Sequence, residues 1–344
     1  MTSTTKLALR ATALAAFTMV SASAFADFDA NIELNNTYQN NGRGLTQDGR
    51  VEVNASKKVG TQYFMAGRAS LLAKKDGTAG TDDMWAQFGS ETADIKLGRF
   101  EATNLYETPG DTYVDHADGG ANIYNGNVLR GRKDSNVFHA AVNVKLGGGL
   151  GLEVGVVETK LAGLAKGVRP ILTYANGPLS LAAGFEAITY NGSAAVAAVA
   201  GTTTTGTITV GGVTSPAIFT TPATPAVAAG NSVHRTGFGL TGAYDFGGFS
   251  LRANLDSGKN AANDKMTGYG LIAQAGPATF GFLGGRNKTT DVTISTFYAA
   301  YAIAFFDVKG ATITPAVSFS KASGAGSTGI ADSSGARVRI NYAF

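Results

Sequence analysis

Apolar and polar residues alternate along many segments of about ten residues each. Clear cases are 27–38, 49–57, 249–256 and the final segment 336–344, where apolar residues recur at every second position and most residues between them are charged, amide-bearing or hydroxyl-bearing. Side chains of a β-strand point alternately to its two faces, so this period of two indicates strands with one apolar and one polar face.

The connections between these segments divide into short and long ones, and they favour a membrane barrel. Short turns are predicted at 90–94, 147–149, 176–178, 245–248 and 276–277. Long links are predicted at 39–48, 74–82, 101–134, 158–167, 191–232, 257–264, 286–292 and 321–335. Eight long and about seven short connections predict about sixteen strands, with both termini on the short-turn side. Soluble sandwiches also alternate, but their strands are commonly about five or six residues long.

The N-terminus resembles a leader for export. Lys6 and Arg10 precede an apolar run at 11–20, and Ala24 and Ala26 supply the small residues of a cleavage site. We therefore predict a signal peptide at 1–26, since the run is shorter than the ~20 residues of a membrane-spanning anchor. An exported chain without such helices spans a bilayer only as a closed barrel, so 27–344 is predicted to be an all-β, transmembrane antiparallel β-barrel.

Composition excludes several other classes of protein. Only 15% of residues are charged, the formal net charge is +3, and there is no cysteine. Disulfide frameworks, thiolate metal sites and cysteine nucleophiles are therefore excluded. A nucleic-acid partner is not expected either, because such proteins need a strongly basic face.

No arrangement of residues indicates catalysis. The three histidines, His116, His139 and His234, stand apart, and no metalloprotease or nucleophile-elbow motif occurs. The chain is therefore predicted not to be an enzyme and to need no cofactor or metal. A calcium site on the acidic residues of 101–134 is an alternative whose oxygen spacing matches no known loop motif.

Residues 191–232 form a low-complexity segment rich in Ala, Thr, Gly and Pro. We interpret it as a long external loop that holds an extended hairpin. A linker between two soluble domains is the competing interpretation, and it is disfavoured because the amphipathic segments resume directly afterwards.

One region carries a family likeness. Residues 85–99 read WAQFGSETADIKLGR, and after a long link residues 129–138 read LRGRKDSNVF. These pieces and their spacing resemble the general-diffusion porins of Gram-negative outer membranes, which are trimeric sixteen-stranded barrels. The resemblance implies that the third long loop, 101–134, folds into the lumen and constricts it. It also implies a homotrimer in the outer membrane, in contact with lipid and lipopolysaccharide.

Charged side chains on strands are expected to face the lumen, because a charge facing lipid costs about 2–4 kcal/mol at the midplane. Alternation places Arg50 and Arg68 there, whereas Arg99 shares parity with apolar neighbours and needs a bulge at Gly98 to turn inward. The resemblance implies that wall arginines oppose loop acids across a constriction. The predicted wall residues are Arg50, Arg68, Arg99, Arg130 and Arg132, and the predicted loop residues are Glu107, Asp111, Asp115 and Asp118.

The C-terminal strand ends in Tyr342 and Phe344. It resembles the terminal aromatic strand through which outer-membrane barrels are recognised by their assembly machinery. The competing interpretation, an ordinary edge strand, would expose an apolar edge prone to aggregation.

The predicted function is a pore for passive diffusion of ions and small hydrophilic solutes, filtered by the 101–134 loop. Opposed arginines and carboxylates would create a transverse field that orients water and excludes apolar solutes, with a slight preference for anions. Two alternatives remain open. One is a channel selective for a sugar, through Tyr106, Tyr113 and Tyr124, or for an anion. The other is an adhesin or phage receptor that works through 191–232.

Overall fold

A computed structural model describes most of the chain from residue 27 onward. The described residues are 27–40, 44–74, 76–108, 112–117, 123–133, 136–193, 198, 200–210, 213–222, 230–305 and 308–344. The predicted leader, 1–26, lies outside them and stays a prediction. No helix in these ranges is long and apolar enough to cross a membrane.

The described structure is almost entirely β-strand. The first nine strands are β1 (Asp27–Gln39), β2 (Gly44–Val59), β3 (Tyr63–Ala73), β4 (Ala79–Ser90), β5 (Ala93–Arg99), β6 (Phe138–Gly147), β7 (Leu150–Glu158), β8 (Ala165–Asn176) and β9 (Leu179–Tyr190). A separate hairpin follows, formed by β10 (Thr202–Val210) and β11 (Val213–Thr221). The remaining strands are β12 (Val233–Asp245), β13 (Ser250–Lys259), β14 (Lys265–Ala275), β15 (Ala278–Asn287), β16 (Val292–Tyr301), β17 (Ile303–Ala304), β18 (Ala311–Ser323) and β19 (Ser333–Ala343).

The strands close into one antiparallel barrel. Each long strand pairs with the next, β9 pairs with β12 across the hairpin, and β16 pairs with β18. The ring closes where β1 pairs with β19, with Asn31 opposite Ala343 and Gln39 opposite Gly335. Leaving out the short β17, sixteen strands form the barrel. This confirms the predicted fold class.

The two faces of the barrel differ as the alternation predicts. On β1, Ile32 is 45% exposed on the outer face, whereas the neighbouring Glu33 is 8% exposed on the inner face. The outer face carries many large exposed apolar side chains, a surface that suits lipid and not water. At the short-turn end several of these are aromatic, namely Tyr63, Phe246, Phe249, Tyr301 and Phe344. Aromatic girdles of this kind mark the interface of a membrane barrel.

The eight long connections lie together at one end of the barrel, as predicted, but most are shorter than expected. The first was predicted at 39–48, whereas the paired strands reach Gln39 and resume at Gly44. The prediction for 191–232 has the observed limits, since β9 ends at Tyr190 and β12 begins at Val233. That segment contains the predicted hairpin, β10 and β11.

Candidate functional site

The connection between β5 and β6, residues 100–137, folds into the barrel and is called the lumenal loop below. Its described residues are 100–108, 112–117, 123–133 and 136–137. Phe100, Leu105 and Leu129 are each at most 1% exposed, although they belong to a connection and not to a strand. The predicted infolding of the third long loop is therefore confirmed.

A buried carboxylate on β9 holds the returning half of the lumenal loop. Glu186 accepts hydrogen bonds from the backbone N–H groups of Val128 and Leu129, each at 2.8 Å. The guanidinium of Arg169 on β8 pairs with the same carboxylate, with Nε 2.9 Å from Oε1. Both side chains are at most 1% exposed. Charge-assisted bonds in such a position are stronger than neutral ones, so this pair fixes the loop to the wall.

Two further wall carboxylates bind the loop backbone. Glu153 on β7 accepts from the N–H of Thr103 at 3.1 Å and from its hydroxyl at 2.9 Å. Asp256 on β13 accepts from the N–H of Asn125 at 2.7 Å and from its amide at 2.9 Å. Inward-facing carboxylates on three strands thus satisfy backbone donors that would otherwise be left unpaired.

Hydroxyl groups hold the loop on the far side of the lumen. The N–H groups of Asp115 and Ala117 donate to Ser318 and Ser320 of β18 at 3.0 and 2.8 Å. Between them, Nδ1 of His116 lies 2.8 Å from Oγ1 of Thr296 on β16. Because its anchors run from β7 through β13 to β18, the loop crosses the barrel.

Burial shifts the titration of loop side chains. Desolvation lowers the pKa of His116 to about 4, so this imidazole is neutral where the loop is seated. Burial likewise raises the pKa of Tyr113 and of Tyr124 to about 12. The seated loop therefore buries neutral rings on its far side.

Two glycines of β12 let the loop approach the wall. A Cβ placed on Gly239 would lie 2.5 Å from Cβ of Leu105, and one on Gly237 would lie 2.3 Å from the carbonyl oxygen of Asn125. Real Cβ atoms do not approach so closely, so a larger residue at either position would displace the loop. At these positions glycine is required by contact between loop and wall.

A continuous arginine–carboxylate network lies on the other side of the lumen, formed by wall residues and by residues near the two ends of the lumenal loop. Its members are Arg50, Arg68, Arg130, Arg132, Arg339, Glu33, Glu52, Asp82, Asp83 and Glu101. Arg50 bridges Glu33 at 3.2 Å and Asp82 at 3.1 Å, and Arg68 bridges Glu52 at 3.1 Å and Asp83 at 3.3 Å. The arginines predicted by alternation, Arg50 and Arg68, therefore lie on the inner face.

A β-bulge places two acids side by side in this network. In the β3–β4 ladder Ala69 faces Met84 and Leu71 faces Thr81, so Asp82 and Asp83 share the space opposite Ser70. Asp82 is 6% exposed and Asp83 is 4% exposed. A regular strand would send adjacent residues to opposite faces, whereas a bulge allows both to turn inward.

Arg99 turns inward by a different route from the one expected. The β4–β5 pairing continues without a register shift from Gly89 opposite Asp94 to Met84 opposite Arg99, so there is no bulge at Gly98 in this ladder. Gly98 instead adopts a φ of 116°. The Arg99 guanidinium donates to the carbonyl oxygens of Asp82 at 2.6 Å and Lys133 at 2.7 Å.

The remaining predicted arginines lie on the lumenal loop and join the network. Arg132 Nε lies 2.8 Å from Asp82 and 2.6 Å from Asp83, and its Nη1 lies 3.1 Å from Glu101. Arg130 pairs with Glu101 at 2.8 Å. The Arg68 side chain is 31% exposed and that of Glu101 is 35% exposed, so the network faces open space inside the barrel.

The predicted loop acids are not grouped together. Glu107 pairs with Arg252 of β13, and Asp115 accepts a hydrogen bond from Ser333 of β19. Asp111 and Asp118 lie outside the described residues. Within the described ranges no group of three or more His, Cys, Asp or Glu residues could hold a metal ion.

Of the tyrosines considered for sugar stacking, Tyr106 and Tyr124 pack edge to face with their ring centroids 5.1 Å apart, whereas Tyr113 lies elsewhere. Tyr106 is fully buried and donates to the carbonyl oxygen of Tyr269 at 2.5 Å. Tyr113 packs with Ala300 and Ala316 in a different cluster from Tyr106. Their rings are used to seat the loop.

Lys96 is a lumenal charge that the sequence analysis did not select. Its Nζ lies 3.9 Å from the ring centroid of Trp85 and 4.9 Å from that of Phe100. It borders a space of about 380 Å³ that Gln87 and Asn143 also line. No carboxylate of the described residues lies within ion-pair distance of Lys96. Its parity on β5, opposite to that of Ile95 and Leu97, was the available signal.

The acids of the network were missed for two different reasons. Glu33 and Glu52 share the polar face of their strands with Arg50, and cross-strand proximity was the available signal. Asp82 ended a predicted connection and Asp83 followed it, so neither was assigned to the wall. Their common orientation depends on the bulge, which no residue pattern marks.

The terminal residues close the barrel. Phe344 and Ala30 exchange two backbone hydrogen bonds, at 2.8 and 2.9 Å. The rings of Tyr342 and Phe344 stack with their centroids 5.3 Å apart, on the outer face. Their recognition by assembly machinery stays a prediction.

No family model and no curated protein matches the chain. Solved structures do match. A loop-deletion mutant of OmpT, an outer membrane protein of Vibrio cholerae, aligns with a TM-score of 0.66 at 12% identity, over 93% of this chain and 99% of that one. An anion-selective porin from Comamonas acidovorans aligns with a TM-score of 0.65 at 16% identity, over the same shares. A mutant of the Rh. blastica porin aligns with a TM-score of 0.54 at 12% identity, over 93% and 100%.

The chain has the porin fold. Identities of 12–16% carry the fold and no more, so the roles of individual residues depend on their geometry in this chain. In this chain an anchored loop crosses the barrel. The arginine–carboxylate network faces the part of the lumen that the loop does not fill.

Proposed function

We propose that the chain is an outer-membrane porin, a passive channel for ions and small hydrophilic solutes. The lumenal loop is its size filter, as predicted for 101–134. The observation that carries the proposal is the asymmetry of the lumen. The loop fills one side through its anchors on β7, β9, β13 and β18, while partly exposed ion pairs line the other.

The charges of the network support passage of polar solutes. Five arginines and five carboxylates alternate within it, from Arg339 on β19 to Arg130 on the loop. Interleaved charges of both signs orient water and dipolar solutes and disfavour apolar ones. This differs from the expected arrangement of wall arginines opposite loop acids, because most of the carboxylates come from the wall itself.

Planar-bilayer recording of the purified protein tests the proposal. We expect discrete conductance steps, and liposome swelling with small neutral sugars that decreases as the sugars become larger. A preparation made in the same way from cells that lack the gene is the control. Correctly folded protein that gives no conductance steps would contradict the channel function.

The setting of the channel is part of the same proposal. It includes export by the 1–26 leader, insertion through the strand ending at Phe344, contact with outer-membrane lipid, and a homotrimer. A trimer form of Vibrio cholerae OmpT is among the similar structures. Native mass spectrometry of the detergent-solubilised protein tests the trimer, which a monomer alone would contradict.

A preference for anions is the second candidate property, and Lys96 favours it. The network is balanced in charge, whereas Lys96 is a lumenal cation without a carboxylate partner among the described residues. One similar structure is described as an anion-selective porin. The reversal potential under a KCl gradient should indicate anion preference, and K96Q should shift it toward cations. K160Q, which removes an exposed lysine from the β7–β8 connection, is the control; an equal shift would refute the role of Lys96.

A further inference from the structure

The hairpin of β10 and β11 belongs to a sheet of its own. Among the described residues, these two strands pair with each other and with no strand of the barrel. An isolated two-stranded hairpin is at best marginally stable in water, and additional strands are what make such a sheet stable. A further strand beside this hairpin would therefore stabilise it.

The register of the hairpin shows which backbone groups point away from it. The ladder runs from Thr202 opposite Thr221 to Val210 opposite Val213. Successive pairs of an antiparallel ladder alternate between pairs that exchange N–H···O bonds and pairs whose N–H and C=O groups point outward. Pro216 has no N–H, so its pair with Thr207 is of the outward kind. Counting in twos from this pair gives the outward positions of β10, which are Thr203, Thr205, Thr207 and Thr209.

The two edges of the hairpin differ in how well they are protected against another strand. The outer edge of β11 is interrupted by Pro216, and proline at such a position blocks further pairing. Every outward position of β10 keeps its N–H, and within the described ranges no backbone hydrogen bond joins this edge to the rest of the chain. No residue of 191–232 is charged, so the edge also lacks the charges that commonly prevent strand addition. The β10 edge is therefore open.

A second copy of the chain is the partner that suits this edge. Three of the pairs that β10 makes with β11 join threonine to threonine, namely Thr202 with Thr221, Thr203 with Thr220 and Thr209 with Thr214. The β10 strand of another copy is likewise threonine-rich, and it has the same open edge. A two-fold pairing of β10 with β10 would satisfy both edges at once. A partner that binds through charge would find no counter-charge in 191–232.

We propose that β10 of one copy pairs antiparallel with β10 of a second copy, so that the two hairpins form one continuous sheet. If all four outward positions of each strand are used, Thr205 of one copy lies opposite Thr207 of the other. The outer edges of the joined sheet are then the two β11 strands, each interrupted by Pro216, so the association ends at two hairpins. This interface lies outside the barrel wall and is separate from any contact between barrel flanks.

The experiment measures the mass of the purified, detergent-solubilised protein over a range of concentrations by sedimentation velocity. The unmodified protein should double the mass of its native oligomer as the concentration rises. T205P removes one outward N–H from each copy and should weaken the doubling about twentyfold or more, since two hydrogen bonds of about fivefold each are lost. T220P places the same substitution at an outward position of β11, directly opposite Thr203, and is the control. It should double within about twofold of the unmodified protein, because its edge is already blocked.

A charge exchange at the same position separates lost pairing from a misfolded hairpin. In the proposed pairing the two copies of Thr205 are diagonal neighbours across the new ladder, where like charges repel and opposite charges attract. T205K alone and T205E alone should each double poorly, whereas an equimolar mixture of the two should regain the doubled mass. A hairpin that had merely unfolded would not be restored by mixing.

Several results would overturn the pairing. They are a single mass of the unmodified protein at every concentration, an equal loss in T220P, doubling that persists after deletion of 192–230, and no gain when T205K and T205E are mixed. An extended segment of another protein as the true partner would give the first of these results. Conductance recorded from the same samples keeps the two proposals apart. Normal conductance without doubling would contradict the pairing alone, and doubling without conductance would contradict the channel function alone.

Discussion

The two longest connections of the barrel begin at the same end, but only one of them folds into the lumen. The lumenal loop enters the barrel, and several of its described backbone N–H groups donate to wall side chains, among them those of Thr103, Asn125 and Leu129. The 191–232 segment instead forms its own hairpin, in which β10 and β11 pair from Thr202 opposite Thr221 to Val210 opposite Val213. Ile218 of this hairpin is 71% exposed. Both segments provide hydrogen-bond partners for their backbone groups. The lumenal loop finds them on wall side chains, whereas the hairpin finds them in its own two strands.

The difference lies in the wall as much as in the loop. Inward positions on β7, β9 and β13 provide Glu153, Glu186 and Asp256 at the points where the lumenal loop passes. The described part of 191–232 offers threonines and apolar residues, and its extensive contacts are between β10 and β11. Length alone therefore does not decide whether a loop enters the lumen.

The largest expected effect follows from removing two anchors together. The double variant E186Q/D256N leaves Arg169 without its main partner, and breaking such a buried pair costs about 3–5 kcal/mol. We expect the loop to leave the wall, so that single-channel conductance rises and larger sugars enter liposomes. E158Q, on the outer face where Glu158 pairs with Lys166 at 3.1 Å, is the control. A folded double variant with unchanged conductance and sugar cut-off would show that these anchors do not hold the filter.

A smaller effect is expected from crowding the contact at β12. G239A should cost about 1–3 kcal/mol of loop seating, because the added methyl group meets Leu105. We expect this weaker seating to appear as increased open-channel noise and as a lower melting temperature of G239A. G248A, in a turn where an added Cβ meets nothing within 4 Å, is the control. Identical behaviour of the two variants would refute the close-contact requirement.

The effect of pH is expected to be weaker and graded. His116 has a pKa of about 4 in the seated loop, below its ordinary value of 6.5, so seating favours the neutral ring. Its contribution is complete above pH 6.5 and is lost as the pH falls toward 4. The groups that face it are the hydroxyl of Thr296, the ring of Tyr124 with its centroid 6.1 Å away, and the adjacent Asp115. Channel noise should therefore grow over this interval, and H116N, which cannot titrate there, should show a flat profile. An equally steep profile in H116N would assign the effect to other groups.

The smallest expected effect tests the other loop. Deleting 192–230 should leave conductance, sugar cut-off and ion preference unchanged, since the described hairpin contributes no contact to the loop anchors or the network. Reduced conductance would show that this segment also controls the pore. Intact conductance with lost adhesion or phage binding would support the alternative in which the segment is a surface receptor.

Alternation along the chain was sufficient to predict the barrel and the inner face of Arg50 and Arg68, because a period of two depends only on neighbours in sequence. It also located 191–232, since the amphipathic segments stop and resume at its ends. Alternation could not identify the wall side chains that hold the lumenal loop. Glu186 and Leu129 are far apart in sequence, and only the curvature of the closed sheet brings them together.

The arginine–carboxylate network shows a second feature that the sequence pattern could not predict. Asp82 and Asp83 cannot both face inward in a regular strand, so their role depends on a local irregularity that alternation excludes. Arg99 was expected to need a bulge, yet the backbone at Gly98 turns it without one. Single backbone torsions are set by the whole ladder, and residue order alone does not reveal them.

The seam between β1 and β19 has a consequence for how the barrel forms. Every other junction joins barrel strands that are consecutive along the chain, once the separate β10–β11 hairpin and the short β17 are set aside, whereas this one joins Ala30 to Phe344. Until β19 pairs with it, β1 presents a row of unpaired N–H and C=O groups. Such groups are energetically costly in the hydrocarbon of a bilayer, where no water can bind them. Contacts between segments so distant in sequence form slowly, because the ends of a long chain must first meet. During insertion the unpaired edge of β1 must therefore be covered until β19 pairs with it.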